Sequence, residues 1–352
     1  MNEFVKRPNK EEIIYLLSLQ DAGEINELFK RAYEVKKQYV GTKVYFRGIV
    51  ELSNICTKNC YYCGIRRDNL KVKRFCLTKE EIIQSALWAF EQHYGSVVLQ
   101  SGERTDEEFI GFIEKIVQIL KEKTAGKLGI TLSLGEQTEE TYKRWFSAGA
   151  HRYLLRIETS NPELYQKLHP KDHDWKKRRD CIRTLKRLGY QTGSGVMIGL
   201  PYQTLDDLAQ DVQFFYDEDI DMIGMGPFIP HQDTPLANAI PDYDPEKQLE
   251  LALKMIAVCR IFLKDINIAS TTALQALKPD GRELGLLAGA NIIMPNITDT
   301  MYRSYYQLYN GKPCLDENAS LIRDNLEAHI HSLGETIGYD QWGDSLHYKK
   351  GR

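Results

Sequence analysis

Three of the chain's seven cysteines, Cys56, Cys60 and Cys63, fall in the stretch Cys-Thr-Lys-Asn-Cys-Tyr-Tyr-Cys. The C-x3-C-x2-C spacing offers three soft thiolates from one short loop, enough for three irons of a 4Fe-4S cluster. One iron is then left without a protein ligand. Structural zinc sites and ordinary electron-transfer clusters use four protein ligands, so a triplet with no fourth nearby points to an open coordination position. Cys76, Cys181 and Cys259 stand alone and read as inert, buried or partly buried thiols. An odd, uneven set of cysteines is no disulfide framework and suits a reducing, cytoplasmic compartment. No Ser-His-Asp set, H-E-x-x-H or P-loop appears, which removes hydrolase and NTPase readings.

The elements that must position this loop alternate. Strand-like runs at Tyr45–Leu52, Ser96–Gln100, Leu128–Leu134, Arg152–Glu158, Gln191–Ile198, Met222–Met225, Ile266–Thr271 and Asn291–Met294 are separated by stretches of helical periodicity. The helical stretches lie near Lys79–Gln92, Asp106–Lys123, Glu139–Ala148, Lys176–Leu188, Leu205–Asp217, Pro245–Leu263 and Glu283–Ala288. Eight such units predict an α/β chain folded as a (β/α)8 TIM barrel of parallel strands. Residues 1–40 are expected to cap its bottom with helices, 41–315 to form the barrel, and 316–352 to pack on it as a helical tail. The cysteine loop directly follows the first strand, at the C-terminal mouth where such barrels keep their active sites.

Side chains alternate along a strand, so Arg47 and Glu51 share a face, as do Thr131 and Ser133, and Arg156 and Glu158. The intervening positions Val50, Leu132 and Leu155 are apolar and belong against the outer helices. The polar face points inward, where barrels usually carry layers of Val, Ile and Leu. This predicts an open polar chamber, although Arg and Glu inside a barrel can also simply pair with each other. At net charge −3 the 352-residue chain makes no case for nucleic acid, and no Lys/Arg run is interleaved with aromatics. Apolar stretches such as Leu249–Leu263 are broken by charges and too short to span a bilayer. Residues Met1–Glu12 lack an apolar signal-peptide segment.

The triplet, with the aromatic Tyr62 before its last cysteine, resembles the cluster motif of the radical S-adenosylmethionine (SAM) enzymes. That resemblance implies that SAM chelates the fourth iron and is reductively cleaved to a 5′-deoxyadenosyl radical. Ser101-Gly102-Glu103 after the second strand resembles the turn that takes the methionine amino group. Arg156 can grip the SAM carboxylate bidentately and Glu158 can accept from ribose hydroxyls. Ser133 joins them, and Arg178 can serve the carboxylate as well. Its neighbours Lys176, Lys177 and Arg179 make a solvated basic face an equal reading for Arg178. Met197 in Gly195-Val-Met-Ile-Gly199 and Ile229 in Gly226-Pro-Phe-Ile-Pro-His231 offer apolar cover for adenine. His231 itself reads as a structural loop histidine.

Longer stretches narrow the resemblance. Val98-Leu-Gln-Ser-Gly-Glu103, Thr131-Leu-Ser-Leu-Gly-Glu136, Arg152-Tyr-Leu-Leu-Arg156 and Gly226 through Pro235 resemble the HydE family of iron–iron hydrogenase maturases. So do Ala269-Ser-Thr-Thr272 and Asn291-Ile-Ile-Met-Pro-Asn296. The resemblance runs over about residues 10–315. It implies one 4Fe-4S cluster, SAM, and a small organometallic iron–carbonyl–cyanide–cysteine substrate deeper in the barrel. Matching substrate-side positions are Arg47, Gln100, Thr271, Thr272, Tyr302, Arg303 and Tyr305. The tyrosines of Tyr302-Arg-Ser-Tyr-Tyr306 equally suit a packed amphipathic lid. It also implies transient partners in other maturation proteins, an electron donor, and a monomer. A second cluster in some members uses C-x7-C-x2-C; here Cys314 matches the first position but Ile322 and Asn325 occupy the others, so no second cluster is expected.

Two alternatives stay open at this point. Biotin synthase and methylornithine synthase share the triplet and the barrel, although Cys181 and Cys259 are poorly placed for biotin synthase's auxiliary cluster. A non-catalytic carrier of an iron fragment is the alternative of another class.

Overall fold

The computed structural model describes residues 7–350; residues 1–6 and 351–352, the outer ends of the first and last expected segments, lie outside the described residues. Among the described residues eleven strands form in chain order: β1 (Lys43–Ser53), β2 (Ser96–Ser101), β3 (Gly129–Ser133), β4 (Arg152–Leu154), β5 (Gln191–Ser194) and β6 (Met197–Ile198). They continue as β7 (Met222–Ile223), β8 (Gly226–Pro227), β9 (Asn267–Ser270), β10 (Ile292–Ile293) and β11 (Thr336–Ile337). Parallel pairing runs β1-β2-β3-β4-β5-β7-β9-β10, and Tyr45 and Phe46 of β1 meet Ile292 and Ile293 of β10 to close the ring. The eight-stranded α/β barrel is therefore the predicted one. The short β6 and β8 pair with each other above it.

Local sequence explains the helices between the strands. Thr78 and Glu81 form a capping box that opens the helix Lys79–Glu91, and Thr204 and Asp207 open Leu205–Asp217 in the same way. Asn161–Pro162 and Asp244–Pro245 combine an N-cap side chain with proline at the first helical position. The amphipathic helix Glu107–Lys123 buries Ile113, Ile116, Val117 and Leu120 against the sheet.

The bottom of the barrel differs from expectation. The N-terminal helices Lys10–Ser18 and Ala22–Tyr39 do not lie beneath it. They pack on the flank, against helices Leu205–Asp217, Pro245–Leu263 and Gly281–Leu287. The C-terminal segment after β11 takes the space below. Asp344 Oδ1 accepts from Arg152 Nη1 (2.7 Å) and Gln191 Nε2 (2.9 Å), while Gly343 O accepts from Arg47 Nη2 (3.0 Å) and Asn267 Nδ2 (2.8 Å). These donors line the lower openings of β1, β4, β5 and β9, and buried donors of this kind demand acceptors. The tail supplies them, so it forms the plug. Of the expected tail 316–352, only Ala319–Ser332, before β11, and Leu346–Lys350, after it, are helical among the described residues.

Candidate radical SAM site

The cysteine loop leaves β1 and is held from three sides. Arg74 donates to the carbonyls of Asn54, Ile65, Arg66, Arg67 and Asn69, all within 3.2 Å. Asn59 N donates to His173 Nε2 (3.1 Å), and Tyr61 N to Leu168 O (2.9 Å). On the third side, Gly64 N donates to Leu308 O, and any Cβ at Gly64 would sit 2.1 Å from Gln307 O. His231 packs on the same glycine while its Nδ1 accepts from Asp233 N, the structural part foreseen for it.

The turn after β2 comes up to the first cysteine. Glu103 N donates to Cys56 Sγ (3.3 Å). A Cβ on Gly102 would lie 2.4 Å from Ile55 O and 2.8 Å from Cys56 Cβ, so only glycine lets the turn approach. Burial pushes all three thiols up, Cys60 to about 12. At neutral pH only a bound cation would render them thiolates. No three His, Cys, Asp or Glu side chains among the described residues converge on a single metal ion. A cubane does not need that, because each thiolate binds its own iron.

Beside the cysteines, three carboxylates face three cations. Glu136 pairs with Arg178 (2.6 Å) and Lys58 (3.0 Å), Lys58 reaches Glu103 (3.4 Å), and Arg156 meets Glu158 (3.0 Å). Burial and the nearby Glu136 push the Glu103 carboxyl up. Burial acts on Glu136 in the same sense, but Arg178 and Lys58 outweigh it and hold that carboxyl down. Arg178 is thus a half-buried member of the network rather than part of a solvated face. Its Nε donates to Arg156 O (2.7 Å) and so positions the neighbouring guanidinium.

Glu158 takes a left-handed backbone, φ +68°, which costs a non-glycine residue roughly 1–3 kcal/mol. The following turn is pinned from below: Ser160 N donates to Asp211 Oδ1 (2.6 Å) and Asn161 Nδ2 to Asp207 Oδ1 (2.8 Å). Asp211 is wholly buried, and burial raises its carboxyl to about 7. The folded state thus holds a proton that the unfolded chain releases near pH 4, and stability falls as pH rises from about 4 through 7. Asp211→Asn is expected to match the parent at pH 4 and to exceed it by roughly 4 kcal/mol at pH 8.5. Urea unfolding at both pH values measures the difference.

One chamber of about 320 Å³ lies inside the barrel mouth. It brings together Cys56, Cys60, Cys63, Tyr62, Ser101, Gly102, Glu103, Ser133, Arg156, Glu158, Arg178, Met197 and Ile229, with Gln100, Thr271 and Thr272 from the substrate-side set. Arg156 Nε and Thr271 Oγ1 are buried without a hydrogen bond, and Glu158 Oε2 has only its ion pair. Unspent polar capacity around a chamber that also holds three soft donors fits a polar, cationic cofactor bound beside a cluster.

Four expected substrate-side residues lie elsewhere. Arg47 sits below the chamber, bonded to Met222 Sδ and the plug. Arg303 is buried but spends its guanidinium on the carbonyls of Thr298, Cys314 and Glu317. Tyr302 stacks on Phe75 with centroids 5.2 Å apart and donates to Glu81, while Tyr305 carries Lys73 over its ring. Sequence reasoning missed the inward-facing Tyr306, Tyr309 and Lys312 of the same segment. Lys312 Nζ lies 2.5 Å from Glu51 Oε1, and Asn296 Nδ2 donates to Glu51 Oε2 (2.9 Å). Neither Cys181, against Gln137 O, nor the fully buried Cys259 lines the chamber. Cys314 lies against Gln275.

The radical SAM superfamily model matches residues 50–215. Over 341 residues, 97% of this chain and 94% of the relative, the chain is 47% identical to the [FeFe] hydrogenase maturase subunit HydE of Thermotoga maritima. The chain belongs to the HydE family of radical SAM enzymes. The 4Fe-4S cluster and SAM are accordingly its cofactors, and the family's C-x3-C-x2-C cluster motif is present as Cys56, Cys60 and Cys63. Among solved structures, methylornithine synthase PylB shares the fold with a TM-score of 0.81 at 24% identity, covering 94% of both chains. The maturase HydG of Carboxydothermus hydrogenoformans superposes with a TM-score of 0.78 at 21% identity, over 95% of this chain and 76% of its own. Those two likenesses concern the fold alone. No helix among the described residues is long and apolar enough to cross a membrane.

Proposed function

We propose that this HydE-family protein acts on a small organometallic iron–carbonyl–cyanide–cysteine substrate during assembly of the [FeFe]-hydrogenase active-site cluster. The observation that carries the reading is the far wall of the chamber. Beyond the carboxylates and guanidinia nearest the cysteines, it presents Gln100, the unbonded Thr271 Oγ1, Thr272, Tyr306, Tyr309 and the Lys312 ammonium. Hydroxyls, an amide and an ammonium held by Glu51 and the Tyr306 carbonyl suit a small polar guest with cyanide and carboxylate groups.

When bound, the cluster and SAM supply a 5′-deoxyadenosyl radical. The protein's part is to bind, orient and exclude water. Cys56, Cys60 and Cys63 hold the cluster, and the Ser101–Glu103 turn receives the methionine ammonium. Arg156 and Arg178 face its carboxylate, with Ser133 beside them; Glu158 accepts from the ribose, while Tyr62, Met197 and Ile229 flank the nucleoside. Gln100, Thr271 and Thr272 form the substrate side together with Tyr306, Tyr309 and Lys312. The biotin synthase alternative loses support because Cys181 and Cys259 are outside the chamber. The protein works in the cytoplasm as a monomer, with an electron donor and other maturation proteins as transient partners.

The test is anaerobic reconstitution with iron, sulfide, SAM and reductant, followed by addition of the iron–carbonyl–cyanide–cysteine complex. An adenosylated product is expected. Turnover of a lysine-like diamine instead would transfer the reading to methylornithine chemistry. If SAM and iron bind and no 5′-deoxyadenosine forms, the protein is a carrier.

A further inference from the structure

The cluster must receive an electron from outside, and the loop that supplies its ligands continues into an unusual surface. Residues 66–74 carry Arg66, Arg67, Lys71, Lys73 and Arg74 on a chain of net charge −3. Three carboxylates offset them in part: Asp68, paired with Arg67 at 2.9 Å, Asp233, paired with Lys71 at 2.5 Å, and Asp172, which acts on Arg67 through space. In the middle stands Leu70, 94% exposed. Ile55, next to Cys56, adds a second exposed apolar side chain. The patch is rigid rather than a loose loop. Arg74 bonds the carbonyl just before Ile55 and the carbonyl just before Leu70 with one guanidinium, and Asn54 Nδ2 ties down Lys73 O. Arg66 N and Arg67 N donate to Cys63 O and Lys58 O, so the patch is bonded directly to the ligand loop.

We propose that residues 66–74 with Ile55 form the docking surface for a small acidic one-electron-donor protein. The proposal rests on the radical SAM reading and adds the partner's chemistry and its landing site. Excess positive charge steers an acidic partner and orients it, while the apolar knobs supply a desolvated centre on a pre-shaped surface. At the contact the donor loses one electron and the cluster gains it, with no bond made or broken.

Direct binding tests this without turnover. The reconstituted full chain is titrated calorimetrically with oxidised bacterial flavodoxin as the acidic probe, at low and high salt. Binding is expected to weaken with salt, and Arg67→Glu/Lys71→Glu to raise Kd about tenfold or more. Leu70→Ala, at a side chain that touches almost nothing, should weaken binding with no effect on folding. SAM cleavage driven by reduced flavodoxin should fall in parallel, while dithionite-driven cleavage stays at the parent level. Unchanged Kd in both variants overturns the docking surface, as does equal loss with dithionite. Failure of the unsubstituted protein to cleave SAM with dithionite would count against the radical reading instead, and the binding titration would still decide the surface.

Discussion

Cys60→Ser is expected to abolish both cluster assembly and SAM cleavage. The thiol is buried, lies between the other two cysteines in the loop, and is pushed up to about 12 by burial, so its ionisation depends on the metal. A serine hydroxyl is nearly the same size but a hard, far less acidic donor that does not replace thiolate on iron. The loop is anchored independently by Arg74, Asn59 and Gly64, so the variant should fold as the parent does. Iron and sulfide content, visible absorbance after anaerobic reconstitution, and chromatography for 5′-deoxyadenosine read the outcome. Persistent cleavage would sink the assignment of the triplet.

The largest expected loss of stability lies far from the chemistry. Lys36, on the second N-terminal helix, pairs with Glu335 just before β11, and both side chains are completely buried. Lys36 Nζ also donates to Leu286 O (3.1 Å), which joins the flank helix to the barrel and the tail at one point. Lys36→Met removes the cation and leaves a carboxylate buried without a charge partner, expected to cost about 3–5 kcal/mol. Lys36→Met/Glu335→Leu removes both charges and should recover most of that loss, since apolar replacement of a buried pair is often neutral or better. Denaturant unfolding of parent, single and double variants measures this. A single variant as stable as the parent would mean that the pair carries no net coupling.

The strand faces were legible because side-chain alternation has a period of two, and Glu51, Ser133, Arg156 and Glu158 line the chamber. Depth was not legible. Arg47 precedes Glu51 by four residues, roughly 13 Å along a strand, enough to move it from the chamber to the plug. The same face can thus hold a site residue and a structural one. The tyrosines failed for a different reason. The helix Thr300–Arg303 is a single turn, and beyond it the chain has no period to say which side chain points in. Tyr306 and Tyr309 line the chamber, whereas Tyr302 and Tyr305 take the packed positions that the amphipathic-lid reading allows.

By itself, the sequence determined the ligand chemistry, the open iron and the alternating barrel. These depend on residue type and short-range spacing, which survive any arrangement of the rest. Only the tertiary structure decided what closes the barrel from below, which cations serve the site, and that Lys312 meets Glu51 inside it. The pairs Arg152–Asp344 and Glu51–Lys312 join residues 192 and 261 positions apart, and even Lys58 and Glu136 are 78 apart. Such pairs are selected by the packing of the whole ring, because a buried charge or donor takes whichever partner the fold brings within reach.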